Sequence, residues 1–352
     1  MPSTSNYSLR YPDSGDSASG PAHLGNLAND IEAAVDAALT STAVMVELRD
    51  MDYVRPVVVR TWATPSKLTN PGTLPAGTGY GTAWSPDGRF LSVAHGTTPY
   101  ITIYERSGTT FTKLTNPGTL PAGQGNGTAW SPDGRFLSVA HSTSPYITIY
   151  ERSGTTFTKL PDPGTLPAGA GYGTAWSPDG RFLSVGHLNS PRITIYERSG
   201  TTFTKLTDPG TLPTDTGRGT AWSPDGRFLS VAHVTTPYIT IYERSGTTFT
   251  KLTNPGTLPL STGYGTAWSP DGRFLSVAHP SSPYITIYER SGTTFTKLTD
   301  PGTLPTDTSY GTAWSPDGRF LSVAHYNSPY ITIYQTSGST PTGVTLPISI
   351  QD

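Results

Sequence analysis

Short runs of alternating side chains recur along most of the chain. In residues 100–105, YITIYE, the isoleucines fall on one face of an extended strand and a tyrosine on the other, which suits a sheet covered on both faces. Four such strands are predicted in sequence: 82–85, then an Asp87-Gly88 turn, 90–95, 100–105, and, after Ser107-Gly108, 110–114. The pattern then starts again. GTAWSPDGRFLSVAH, residues 81–95, returns five more times with one change. Trp84, Trp130, Trp176, Trp222, Trp268 and Trp314 are each 46 positions apart, as are His95, His141, His187, His233, His279 and His325.

A fixed period of 46 residues with four strands per unit has the length of a propeller blade. The expectation is an all-β fold: a six-bladed β-propeller of four-stranded blades over residues 54–352, with the tryptophans filling space between blades. The array begins and ends part-way through a repeat. ATPSKLTNPGTLP (63–75) matches TTFTKLTNPGTLP (109–121), and STPTGVTLP (339–347) is a degraded copy of the same strand, so either end could close a ring. The strand-like stretch 54–62 carries Pro56, which argues for an edge. Residues 1–53 read as a polar arm followed by a short amphipathic helix over 21–42, opened by Pro21. That helix either packs on its own propeller or joins two or three chains as a brief coiled coil, giving a homo-oligomer, dimer or trimer, in the second case.

The 38 Gly and 33 Pro stand at fixed places in each repeat and mark tight turns rather than disorder. With a net charge of -2 and no basic block, the chain carries no electrostatic footprint for nucleic acid or an anionic membrane, and neither partner is expected. Zero cysteines exclude disulfides and thiolate metal sites. The N-terminus shows no secretion signal, and no apolar run approaches the ~18 residues of a spanning helix.

The six copies differ in two places. One is the connection into each blade: AGTGY (76–80), AGQGN (122–126), AGAGY (168–172), TDTGR (214–218), LSTGY (260–264) and TDTSY (306–310). The other follows each histidine: GTT, STS, LNS, VTT, PSS and YNS, starting at residues 96, 142, 188, 234, 280 and 326. In an antiparallel meander these connections emerge on the same face, and the constant SPDG and RSG turns on the opposite one. A rigid ring bearing differing loops on one face is how a recognition surface is built, although loops are also where change is cheapest. The candidate ligand-binding residues are Tyr80, Asn126, Tyr172, Arg218, Tyr264 and Tyr310 at one position, with Asn189, Arg192, Tyr326 and Asn327 beside them. Aromatic faces stack on sugar rings while amides and guanidinium groups bond hydroxyls or carboxylates, so a glycan is the natural ligand and a protein the alternative.

Six equivalent histidines invite a metal hypothesis, but a residue ending the second strand lies outward of the axis and cannot converge on one ion. They are expected to be structural, as is Asp87 with its copies in the turns. Asp215 and Asp307 are the carboxylates of the variable face, without an accompanying acid–base set. No catalytic residue, cofactor or metal is expected. Lactonase-like or quinone-dependent dehydrogenase activity is a minor alternative by fold analogy alone.

Two resemblances extend this reading. The SPDG turn at Ser85-Pro86-Asp87-Gly88 and its copies resembles WD-repeat and TolB-like propeller blades over residues 67–338, although no copy ends in Trp-Asp. The opening stretch, with Tyr11-Pro12, Gly20-Pro21 and the segment from Leu24 to Leu39, resembles the start of minor tail proteins and tail fibres of bacteriophages of actinobacteria. That likeness implies a tail-tip or fibre protein of the virion. Residues 1–53 would bind other tail proteins, the propeller would recognise the host surface, and host lysis would release the protein to the exterior. The alternative it leaves is a structural or decoration protein of the virion.

Overall fold

The computed structural model describes residues 68–335 and, before them, the backbone of two short strands, β1 (Met45–Val46) and β2 (Val57–Val58). The chain divides into two units, Met1–Leu68 and Thr69–Asp352. In the first, β1 and β2 pair antiparallel, Met45 opposite Val58 and Val46 opposite Val57. The expected arm, helix 21–42 and terminal copy 339–347 lie outside the described residues.

In the second unit the repeats fold as the expected all-β, six-bladed β-propeller. The first blade is a meander of β3 (Gly79–Trp84), β4 (Phe90–His95), β5 (Ile101–Ser107) and β6 (Thr110–Lys113), each antiparallel to the next. Blades two to five repeat it over 125–159, 171–205, 217–251 and 265–297; the sixth shows its first three strands over 309–335. Among the described residues no helix is long and apolar enough to cross a membrane.

Local chemistry sets the boundaries. In the SPDG turn the Phe90 N–H donates to the Ser85 hydroxyl at 2.8 Å, and the Arg89 N–H to the Asp87 carboxylate at 3.0 Å. Gly88 takes φ 64°, a conformation that costs other residues more. Ser85 and Arg89 also hold the Asp87 carboxyl below the usual carboxylate range, so this residue and its copies are turn residues. The third strand starts one residue later than expected because Tyr100 sits at φ 66°, outside the β region, and it runs on to Ser107, where Gly108 (φ 59°) leads a two-residue turn. The first strand starts earlier than expected, at Gly79, with a bulge between Gly79 and Gly81.

The core lies between blades. Phe90, Ala94, Ile101 and Ile103 of the first blade pack against Trp130, Leu137, Val139, Tyr150 and Phe157 of the second, all buried. Trp130 stacks on Phe90 with centroids 5.9 Å apart and meets Phe157 edge-on at 5.7 Å. Fully burying each such side chain contributes roughly 1.5–3 kcal/mol. A polar thread runs through the same contact: Trp130 Nε1 donates to Ser92 Oγ at 3.1 Å, and Ser92 Oγ lies 3.1 Å from Thr128 Oγ1. The thread recurs at Ser138, Ser184, Ser230 and Ser276, so five interfaces join six blades among the described residues. Trp130, Trp176, Trp222 and Trp268 fill space between blades as expected. Trp84 does not, because its face of the first blade is uncovered among the described residues, and it is 48% exposed.

Candidate functional site

The innermost strands approach one another closely, and glycine permits it. A Cβ on Gly173 would meet the Arg218 carbonyl oxygen at 2.4 Å, and one on Gly127 the Tyr172 carbonyl at 2.6 Å. Just before each of these glycines stands the variable position. Tyr172 falls in the register shift between Gly171 and Gly173, so it leaves the ladder, and a bulge of this kind re-aims a side chain. This corrects the sequence reading, in which position 80 and its copies belonged to the connection between blades. Tyr80, Asn126, Tyr172, Arg218 and Tyr310 lie within the first strand of their blades, and Tyr264 immediately precedes Gly265–Trp268.

Consequently these residues meet side by side. The Arg218 guanidinium carbon lies 4.5 Å from the Tyr172 ring centroid and 5.6 Å from that of Tyr264, between two aromatic neighbours. Tyr264 continues to Tyr310, centroids 5.2 Å apart. On the other side Asn126 Nδ2 donates to the Gly171 carbonyl at 2.7 Å, and Asn126 Oδ1 accepts from Gln124 Nε2 at 2.9 Å. Tyr80 and Tyr310 are half exposed, and Arg218 Nε is buried with no hydrogen-bond partner. Burial, with Tyr264 and Tyr326 nearby, raises the Tyr310 hydroxyl pKa. Tyr310 therefore stays a neutral donor at physiological pH.

The second variable stretch adjoins the first within each blade. The N–H groups of Gly96, Ser142, Leu188 and Tyr326 donate to the carbonyls of Thr78, Gln124, Ala170 and Thr308, each at 3.0 Å, so both stretches share one face. On the opposite face Arg106 Nε bonds the Gly88 carbonyl and ties the two constant turns together. Asn189 and Arg192 are engaged locally. Asn189 Nδ2 donates to the Ala168 carbonyl, while Arg192 donates to the Leu188 carbonyl and lies 3.7 Å from Asp215. Asn327 donates to Asp307, and Tyr326 stands 65% exposed beside Tyr310. Asp215, its carboxyl held low first by the Thr216 N–H, is an ion-pair partner of Arg192.

Sequence reasoning missed one feature of this face. The six positions equivalent to Tyr100, filled by Arg192 in the third blade, all take φ of 66–72°. The carbonyls of the first four, Tyr100, Tyr146, Arg192 and Tyr238, press on the next blade: a Cβ on Gly125 would sit 2.4 Å from the Tyr100 oxygen.

The histidines are buried and committed to threonines. Nε2 of His95, His141, His187 and His279 lies 2.9 Å from Oγ1 of Thr102, Thr148, Thr194 and Thr286, respectively. Thr214 and Thr306, the first residues of the two TDT segments, reach Nδ1 of His233 and His325. Burial drives the pKa of His141, His187, His233 and His279 down to about 4. Among the described residues no group of three or more His, Cys, Asp or Glu is gathered to hold a metal ion.

No protein-family model and no curated protein sequence matches the chain. Solved structures do share its fold. A candidate 6-phosphogluconolactonase from Bacteroides uniformis aligns at 17% identity and TM-score 0.61, covering 77% of this chain and 82% of that one. Kuenenia stuttgartiensis hydrazine synthase aligns at 18% and 0.59, covering 81% and 87%. The periplasmic gluconolactonase of Pseudomonas aeruginosa aligns at 18% and 0.54, covering 73% and 80%. At these identities the likeness is one of fold: the chain is a β-propeller resembling lactonase-type propellers.

Proposed function

We propose that the protein is a binding module whose variable face takes a glycan at an actinobacterial cell surface, and that it serves a phage tail as its receptor-binding part. One observation carries the binding reading: the position that varies among otherwise repeated blades is the one the bulge brings together around Arg218, Tyr172 and Tyr264. A guanidinium flanked by two aromatic rings offers planar donors to a carboxylate or hydroxyl pair, and the rings offer faces to a sugar. The phage assignment draws on the resemblance of the opening stretch alone, with Tyr11-Pro12, Gly20-Pro21 and the segment from Leu24 to Leu39, by which residues 1–53 would attach the propeller to other tail proteins of the virion. It places the protein in the tail and, after lysis, outside the host.

Binding is favoured over turnover because the face presents Tyr, Asn and Arg, while its carboxylates Asp215 and Asp307 are occupied by Arg192 and Asn327. The lactonase-type neighbours raise hydrolysis of a sugar lactone as the competing activity. The second reading, a structural virion protein, is favoured by the exposed apolar side chains Trp84, Ile331 and Ile333 at the end blades, which suit subunit contact.

Glycan-array binding by the full chain and by Arg218→Ala tests the proposal. The substitution is expected to weaken binding of acidic glycans at least tenfold, with Tm held within about 2 °C because the residue lies at the rim of the core. Unchanged binding by Arg218→Ala, or turnover of a sugar lactone by the full chain, would contradict it.

A further inference from the structure

The variable face carries two arginines among the described residues. Arg192 lies 3.7 Å from Asp215 and donates to the Leu188 carbonyl, so its charge is matched. Arg218 has no ion pair among the described residues, and its Nε is sealed from solvent without an acceptor. A buried N–H left unpaired is costly, and the fold does not require one here. The same position holds Tyr in four blades and Asn in another. Nη1 and Nη2 bond nothing among the described residues and, in this half-buried side chain, are the nitrogens left open to solvent. They present an end-on pair of N–H donors in one plane.

The surroundings of that pair are one-sided. The rings of Tyr172 and Tyr264, with centroids 4.5 and 5.6 Å from the guanidinium carbon, hold Arg218 between them. Past Tyr264 the aromatic row continues to Tyr310 at 5.2 Å, the two rings tilted by 43°, and Tyr326 stands next to Tyr310. Exposure grows in that direction: Arg218 and Tyr264 are half-buried, Tyr310 is 48% exposed and Tyr326 65%. On the other side the row stops. Asn126, the next copy beyond Tyr172, commits its amide to the Gly171 carbonyl and to Gln124.

We propose, building on the glycan-binding reading, that Arg218 is the subsite for the carboxylate of an acidic sugar, and that the neutral sugar attached to it lies outward on Tyr310 and Tyr326. One uncompensated guanidinium matches the single charge of a carboxylate, and the planar Nη1/Nη2 pair matches its two oxygens. A phosphate monoester, at about −1.5 to −2 near neutral pH, would call for a second cation. Arg192, the other arginine of the face, is held by Asp215. The tyrosines outward of Arg218 carry no charge to pair and suit the apolar side of a sugar ring. The ligand is therefore an oligosaccharide bound in one direction along blades three to six.

Matched glycans on an array, probed with the full chain, test this. The set holds oligosaccharides ending in glucuronic or galacturonic acid, the same chains ending in glucose or galactose, and the same chains with a phosphate ester on that last sugar. The uronates should bind at least about tenfold more tightly than their neutral and phosphorylated counterparts. Arg218→Lys, which keeps the charge and removes the planar fork, should cut that preference to about twofold or less. Tyr310→Ala should instead weaken the uronates and the neutral chains alike, by about fivefold, leaving the preference in place. The pattern of the native chain is readable whether or not a variant folds. Glycan binding by the native chain without a preference for the uronates, a preference for the phosphorylated chains, or a uronate preference unchanged in Arg218→Lys would each overturn the carboxylate subsite and leave the glycan-binding reading standing. Binding to no glycan would overturn both.

Discussion

Lowering the pH from 7.5 to 5 is expected to remove about 8 kcal/mol of stability, a large share of the roughly 5–15 kcal/mol of an ordinary domain. The cause is the set of buried histidines. His141, His187, His233 and His279 are each fully buried, and in the fold they take a proton only near pH 4. In the unfolded chain they take one near 6.5. Between those values the unfolded state binds more protons, so acid favours unfolding, at about 2 kcal/mol per histidine by pH 5. The stability is fully present above pH 6.5 and falls steadily toward pH 4. The turn aspartates, whose carboxyls are held low by Ser and backbone N–H groups, add their loss only below about pH 4, which keeps the two windows apart. Urea unfolding at pH 7.5, 6 and 5 checks this. His141→Gln/His187→Gln should retain about 4 kcal/mol more of its neutral-pH stability at pH 5 than the native chain does. A stability independent of pH between 7.5 and 5 would refute the histidine account.

Trp176→Ala is expected to cost about 3–5 kcal/mol and to lower Tm by about 10 °C. Trp176 stacks on Phe136, meets Phe203 edge-on and donates Nε1 to Ser138 across the blade boundary. Its removal opens a cavity between two rigid sheets that cannot collapse into it. Ser138→Ala, which leaves the indole N–H without its acceptor but keeps the packing, should cost about 1–3 kcal/mol. Thermal denaturation of both variants, followed by circular dichroism, separates the two contributions. If Trp176→Ala lost less than about 1 kcal/mol, the inter-blade packing would not be the main source of cohesion.

The blades were legible because every level of the sequence agreed on them. The alternation in ITIYE, the Pro86-Asp87-Gly88 and Gly108 turns and the 46-residue step all specify the same meander, and consistency of that kind makes a fold readable. The candidate site was legible only as a set of varying positions. That Tyr172 leaves its strand at a bulge, and that Arg218 lies between two rings, depends on close approach of neighbouring backbones at Gly127 and Gly173. One repeat read by itself contains no trace of its neighbours. The histidine–threonine pairs were hidden for a different reason. His95 and Thr102 are seven residues apart across a hairpin, and only the register of β4 on β5 brings them together.

The variable face is the surface proposed to recognise a ligand. Its most direct test is adsorption of the labelled full chain to cell envelopes from a panel of actinobacteria. Beside it stands a version in which every variable pair of stretches is replaced by AGQGN and STS of the second blade. Both proteins should fold alike, because the replacements already occur within this propeller. Adsorption of the native chain to at least one envelope, lost in the uniform version, is the predicted result. Equal adsorption by both, or adsorption by neither, would contradict it and return the variable loops to neutral drift.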